Sequence, residues 1–155
     1  MPLAETKRNP RATGMSWLTP ALAVRDVSRE INFCVKAFGL EKGMMMPDKT
    51  GKIIHGDLKY EGQTIVMFGR EGAMDCPSKS PATTKVDCPI GLYVYCPDID
   101  ALYIRAKAAG ATVISEPKDM FWGDRVASFK DPDGYAWTFA TNIADFDPSR
   151  VPENL

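Results

Sequence analysis

Asp119-Met-Phe-Trp-Gly-Asp-Arg-Val-Ala-Ser-Phe-Lys-Asp-Pro-Asp-Gly-Tyr-Ala-Trp-Thr-Phe-Ala140 is the stretch on which the fold turns. Val126 to Phe129 alternate in the β manner, and Lys130 to Gly134 are dense in turn formers. Pro132 presets its own φ, and Gly134 supplies the positive φ such turns often need. Tyr135 to Ala140 then reads as a strand of aromatic and β-branched residues. The segment predicts a β-hairpin entered through an aromatic-glycine corner, Phe121-Trp122-Gly123. A weaker copy of its surroundings lies in the first half of the chain.

Working outward, the pattern predicts a strand over Trp17–Val24 and a helix capped by Asp26 or Ser28. Ile31, Cys34, Val35 and Phe38 repeat at helical spacing in it, and Gly39 stops it. A strand over Glu41–Met46 follows, then a hairpin of Ile53–Tyr60 and Thr64–Phe68 about Glu61-Gly62. Alternation along Ile53–Tyr60 separates Ile54, Gly56, Leu58 and Tyr60 from a polar row of Ile53, His55, Asp57 and Lys59. Residues 71–89 form a long Ser/Pro/Lys-rich connection, of the kind usually functional or mobile. The second half gives a strand over Ile90–Cys96, a helix capped by Asp98 and ending at Gly110, a strand over Thr112–Ser115, and the opening hairpin.

Laid end to end, the elements read βαβββ twice. Ala21-Leu-Ala-Val24 matches Gly91-Leu-Tyr-Val94, and Val35-Lys-Ala-Phe-Gly39 matches Ala106-Lys-Ala-Ala-Gly110. The strand-end valine precedes the helix-end glycine by 15 residues in one copy and 16 in the other. A unit that cannot close its sheet alone pairs with its copy. The expected fold is α+β: paired βαβββ modules forming a strongly bent mixed sheet around a cavity, with helices outside. The expected bounds are a disordered tail over 1–15, one domain over 16–142 and a C-terminal tail over 143–155. Within the domain the modules take 16–70 and 90–142, with 71–89 between them.

Composition narrows the function. With 155 residues and 45% hydrophobic content, the chain can bury one ordinary core. A net charge of -1 provides no basic field for nucleic acid or an anionic membrane. No apolar run reaches the roughly 20 residues of a membrane span, and no secretory leader is visible, so the expected location is cytoplasmic. Cys34, Cys76, Cys88 and Cys96 lack CxxC spacing and are expected as free thiols. No glycine-rich phosphate loop is present, and Cys34 has no neighbouring base to activate it.

The repeat, the Ala-Phe-Gly and Ala-Ala-Gly-Ala helix ends, and the Phe-Trp-Gly-Asp-Arg…Asp-Pro-Asp-Gly-Tyr-x-Trp run resemble the vicinal oxygen chelate superfamily. That superfamily has the glyoxalase/bleomycin-resistance/dioxygenase fold, and the closest pattern is its PhnB-like branch. The similarity covers about Ser16 to Asn142. It implies four ligands on the concave face, commonly His, Glu, His and Glu, that hold a divalent ion for lyase, isomerase or dioxygenase chemistry. Carried onto this chain, those positions fall at Thr19, Asp57, Leu92 and Thr138. Only Asp57 is a strong ligand type. His55, the single histidine, shares its face, so a His55/Asp57 pair is the weak metal candidate.

The implied reading is therefore a metal-independent small-molecule-binding protein with no cofactor, which sequesters an antibiotic or aromatic metabolite. A divalent-metal enzyme of the same superfamily is the alternative. The cavity candidates are Thr19, His55, Asp57, Lys59, Leu92, Phe121, Trp122, Arg125 and Thr138. Phe121 and Trp122 serve as an aromatic lid or as core filling, and Arg125 as an anion grip or a structural ion pair. At least one of Met44, Met45 and Met46 should face the cavity, whereas Tyr93, Tyr95, Trp137 and Phe139 are assigned to the core. A homodimer is the expected assembly.

Overall fold

The computed structural model describes residues 8–154. Its first module runs β1 (Ala21–Val24), α1 (Val27–Phe38), β2 (Glu41–Pro47), β3 (Ile53–Tyr60) and β4 (Gln63–Arg70). After a short α2 (Pro81–Thr84) the second runs β5 (Leu92–Tyr95), α3 (Ile99–Ala108), β6 (Thr112–Asp119), β7 (Asp124–Lys130) and β8 (Ala136–Asn142). Each module forms a four-stranded mixed sheet, ordered β1-β4-β3-β2 in one and β5-β8-β7-β6 in the other. In both, the first strand pairs in parallel with the last, and the remaining pairs are antiparallel. The fold is α+β, built from paired βαβββ modules.

Local chemistry sets the helix ends. Asp26 accepts a hydrogen bond from the Arg29 amide at 3.0 Å, and Gly39 at φ 72° returns its own amide to the Val35 carbonyl. Asp98 caps α3 through the Ala101 amide at 3.0 Å. Val27, Ile31, Cys34 and Phe38 line the buried stripe of α1.

The two helices pack on each other, and one core unites the modules. The Phe38 ring lies 4.7 Å from Phe139, 5.4 Å from Trp137 and 5.8 Å from Phe129, so the end of α1 plugs the second sheet. Burying each such ring contributes about 1.5–3 kcal/mol. Polar contacts fix the angle of this packing. Tyr135 donates to the Ala23 carbonyl at 2.8 Å, and Arg105 donates to the Lys36 and Val35 carbonyls at the end of α1. The Arg25 and Arg29 guanidinium groups clasp Asp133, in the β7–β8 turn, at 2.7 and 2.8 Å.

Five segments depart from the sequence reading; one is β6, which runs on to Asp119 instead of stopping at Ser115. The first strand begins at Ala21 rather than Trp17, because its pairing with β4 starts at Met67. Trp17 and Leu18 are left exposed, with the Arg11 guanidinium 5.0 Å above the Trp17 ring. The stretch expected to be loose through residue 15 is tied down from Gly14, whose carbonyl accepts the Thr64 amide at 2.7 Å. The remainder of that expectation, over 1–7, lies outside the described residues. The connection over 71–89 is organised by Glu71, which accepts from the Ser80 amide and the Thr83 hydroxyl, each at 2.7 Å. It lays α2 against the Asp133–Gly134 turn through the Ala82 amide. After β8, Ile143 and Ala144 both donate to the Gly123 carbonyl, so the C-terminal segment starts out anchored.

Candidate functional site

Strand register decides which side chains meet. In the second sheet Leu92 pairs with Trp137 and Val94 with Phe139, whereas Tyr93 pairs with Thr138 and Tyr95 with Ala140. Trp137 and Phe139 face the helices. Leu92 and Val94 therefore share the helix side, and Tyr93 and Tyr95 share the other face with Thr138. This corrects two assignments. Tyr93 and Tyr95 are not core: they are 47% and 56% exposed. Leu92 does not share a face with Thr138. It lines instead an apolar hollow of about 460 Å³ beside the free edge of β5, together with Pro20, Ile65, Ile90 and the two tyrosines.

The open face of that sheet gathers around Asp124. Its carboxylate is buried, at 3% exposure. Oδ2 accepts the Tyr93 hydroxyl at 2.7 Å and the Tyr95 hydroxyl at 2.9 Å, and Oδ1 accepts Asn142 Nδ2 at 2.9 Å. Trp122 Nε1 donates to the Tyr93 hydroxyl at 3.3 Å, and the Phe121 ring stands edge-on to Trp122 at 5.0 Å. Burial works to raise the Asp124 carboxyl, but hydrogen bonds from Asn142, Tyr93 and Tyr95 outweigh it and hold the group below its usual range. Burial, with Asp124 alongside, pushes the Tyr93 hydroxyl up to about 12. The result is a fixed aromatic surface over a carboxylate whose charged form the hydrogen bonds favour.

The other candidates fall in different places. Phe121 and Trp122 belong to this aromatic surface. Arg125 points to the opposite face, where it grips Asp100 at 2.9 Å and Asp119 at 2.8 Å, so its role is an ion pair and not an anion grip in the cavity. Thr138 hydrogen-bonds Ser128 at 2.8 Å beside the tyrosines. In the first sheet His55 pairs with Met46 on one side and Gly69 on the other. Asp57 accepts the Met44 amide at 3.1 Å, and Gly43 lies so close that a Cβ there would sit 1.6 Å from Asp57 Oδ1. That carboxylate closes a β-bulge between Lys42 and Met45. Lys59 follows a second irregularity, between β3 and β4.

The four ligand positions implied by the resemblance do not make a metal-binding set. Thr19 is a buried hydroxyl without a partner, Leu92 faces away, Thr138 is bonded to Ser128, and Asp57 is committed to the bulge. Among the described residues no group of three or more His, Cys, Asp or Glu side chains is arranged to hold a metal ion. Sequence reasoning missed Tyr93, Tyr95, Asn142 and the central place of Asp124. Run as Leu-Tyr-Val-Tyr, β5 shows no polar face to betray which side is wet.

Gly123 makes the corner that presents Trp122 and Asp124. Its φ is +98°, and a Cβ there would lie 2.1 Å from the Ala144 carbonyl oxygen. Gly123→Ala is expected to cost about 2 kcal/mol or more through backbone strain and the displaced segment. Urea unfolding measures this. A change within a few tenths of a kcal/mol would mean that the corner is not held as described.

The Glyoxalase/Bleomycin resistance protein/Dioxygenase superfamily model matches residues 16–139. An uncharacterized protein of Mycobacterium tuberculosis is 33% identical over 135 residues, covering 86% of this chain and 79% of its own. The crystal structure of TioX from Micromonospora sp. ML1 superposes with a TM-score of 0.64 at 28% identity, covering 83% of this chain and 99% of the other. A family enzyme from Burkholderia phytofirmans PsJN gives a TM-score of 0.63 at 16% identity, covering 84% and 98%, a likeness of fold alone.

Proposed function

Because the chain belongs to the glyoxalase/bleomycin resistance protein/dioxygenase superfamily, we propose that it is a binder of flat, largely apolar small molecules, such as an antibiotic or aromatic metabolite, that works without a bound metal. The observation that carries this reading is the aromatic surface of Tyr93, Tyr95 and Trp122 beside an apolar hollow. Exposed rings locked by hydrogen bonds to one carboxylate are rigid before a ligand arrives, so little ordering entropy is lost on binding. Superfamily membership does not choose between binding and catalysis, since one fold hosts many activities. The choice rests on the donor set: two threonines, one leucine and a committed aspartate cannot hold a divalent ion as imidazoles and carboxylates do.

The assembly we propose is a homodimer. Trp17, Leu18 and Ile90 are exposed near the free edges of β1 and β5, and a second copy would cover those edges. Membership in the PhnB-like branch and a cytoplasmic location belong to the same proposal.

Thermal melting with a panel of aromatic metabolites and planar antibiotics tests the reading, with elemental analysis of the dialysed protein in parallel. A saturating ligand at about 100 times its Kd should stabilise the native state by roughly 2.7 kcal/mol. That gain should be lost in Tyr93→Leu and unchanged by chelator. A stoichiometric divalent metal, lost in His55→Ala together with a measurable lyase or oxygenase activity, would favour the alternative enzyme.

A further inference from the structure

Asp124 is a buried charge without a countercharge. Its three close partners, the Tyr93 and Tyr95 hydroxyls and the Asn142 amide, are all neutral donors. Among the described residues no Lys, Arg or His pairs with it, and the adjacent Arg125 is turned to the opposite face and spent on Asp100 and Asp119. Buried carboxylates are ordinarily paired with a cation or coordinate one. Here the negative field emerges instead through two half-exposed phenol rings. Each ring donates its proton toward a carboxylate, which makes its face richer in electrons and more attractive to positive charge.

We infer that the molecule held at this face carries a positive charge, a quaternary or protonated nitrogen on or beside a flat aromatic system. The inference rests on the proposed binding function and names the ligand class for it. The flat part occupies the apolar hollow along β5, where Ile90, Leu92 and Pro20 offer only hydrocarbon. The cationic nitrogen lies over the Tyr93 and Tyr95 rings, whose centroids are 5.6 Å apart and whose planes meet at 71°. The steep angle between the rings lets one cation lie against both, and Trp122 stands beside them through its contact with the Tyr93 hydroxyl. An anionic ligand of the same shape is repelled by Asp124.

Two probes matched in shape separate charge from stacking: 10-methylacridinium, permanently cationic, and acridine at a mildly alkaline pH where it is neutral. Each is titrated into the protein and followed by quenching of tryptophan fluorescence and by dye emission. The wild type is expected to bind the cation at least ~10-fold more tightly than the neutral ring system. Asp124→Asn should abolish that preference, weakening 10-methylacridinium more than acridine. In case Asp124→Asn folds poorly, Tyr95→Leu removes an exposed ring and should reduce the preference without disturbing the core. Equal affinity for both probes, or a preference that survives both substitutions, overturns the charge assignment and leaves the binding function standing. Failure of both probes to bind removes the aromatic site altogether.

Discussion

Asp131→Ala is expected to lose about 3–5 kcal/mol of stability, a large part of what holds a domain of this size together. The side chain is buried and accepts three hydrogen bonds: the Asp133 amide at 3.1 Å, the Tyr135 amide at 2.8 Å and Trp137 Nε1 at 2.9 Å. Alanine leaves all three donors without a partner, and none of them can reach water. Each orphan costs roughly 1–3 kcal/mol, which puts the loss well above that of an ordinary surface change. Asp131→Asn keeps an acceptor and should fall in between. Equilibrium urea unfolding reads both variants. An Asp131→Ala loss below about 1 kcal/mol would show that the turn does not organise the start of β8.

This turn and the aromatic site sit at opposite ends of one hairpin. Asp124 pairs with Asn142 at the open end of β7–β8, while Lys130 pairs with Ala136 next to the turn. The hairpin is thus a rigid bar whose closed end is latched to α1 and whose open end presents the site. Sites separated in this way usually add independently. Damage to the latch lowers stability, and damage at Asp124 changes binding.

How much of this was legible depended on whether the chemistry was local. The Asp-Pro-Asp-Gly turn, the Asp26 and Asp98 caps, the Gly39 stop and the doubled βαβββ order are all set by neighbours in sequence, and each could be read there. The row on β3 was legible only as an alternation in sequence, since Gly56, Asp57 and Leu58 are all buried. The face of β5 was not. Leucine, valine and tyrosine suit a wet or a dry side equally, and only pairing with β8 shows that the tyrosines look outward. The hydroxyl contacts to Asp124 span 31 and 29 residues, and no local pattern encodes them. Arg125 was left open between two roles, and its partner Asp100 lies on a helix far along the chain from it.

Stability is also expected to fall as the solution turns alkaline, through Glu30. This carboxyl is fully buried on α1, faces Asp131 and Asp133, and has one oxygen without a partner. Burial first, and then the two aspartates, push its proton affinity up to about 10 from an ordinary 4.5. Asp133 is held low, because the Arg25 and Arg29 pairs outweigh the effect of burial on it. With Glu30 protonated, both guanidinium groups meet the Asp133 carboxylate, and burial pushes Asp131 up as well. The unfolded chain releases the Glu30 proton near its ordinary value, whereas the folded chain keeps it. Between those two values the native state holds one more proton, so unfolding becomes easier as pH rises, by at most about 1.4 kcal/mol per pH unit. Asp133 acts in the opposite sense, since its stabilisation is lost only in acid. Glu30→Gln cannot ionise, so its stability relative to the wild type should improve by roughly 2–4 kcal/mol between about pH 5 and pH 8. Urea midpoints of the two proteins across that range measure the difference. Curves that run parallel would place the extra proton elsewhere, and the carboxyl cluster between α1 and the β7–β8 turn would have to be redrawn.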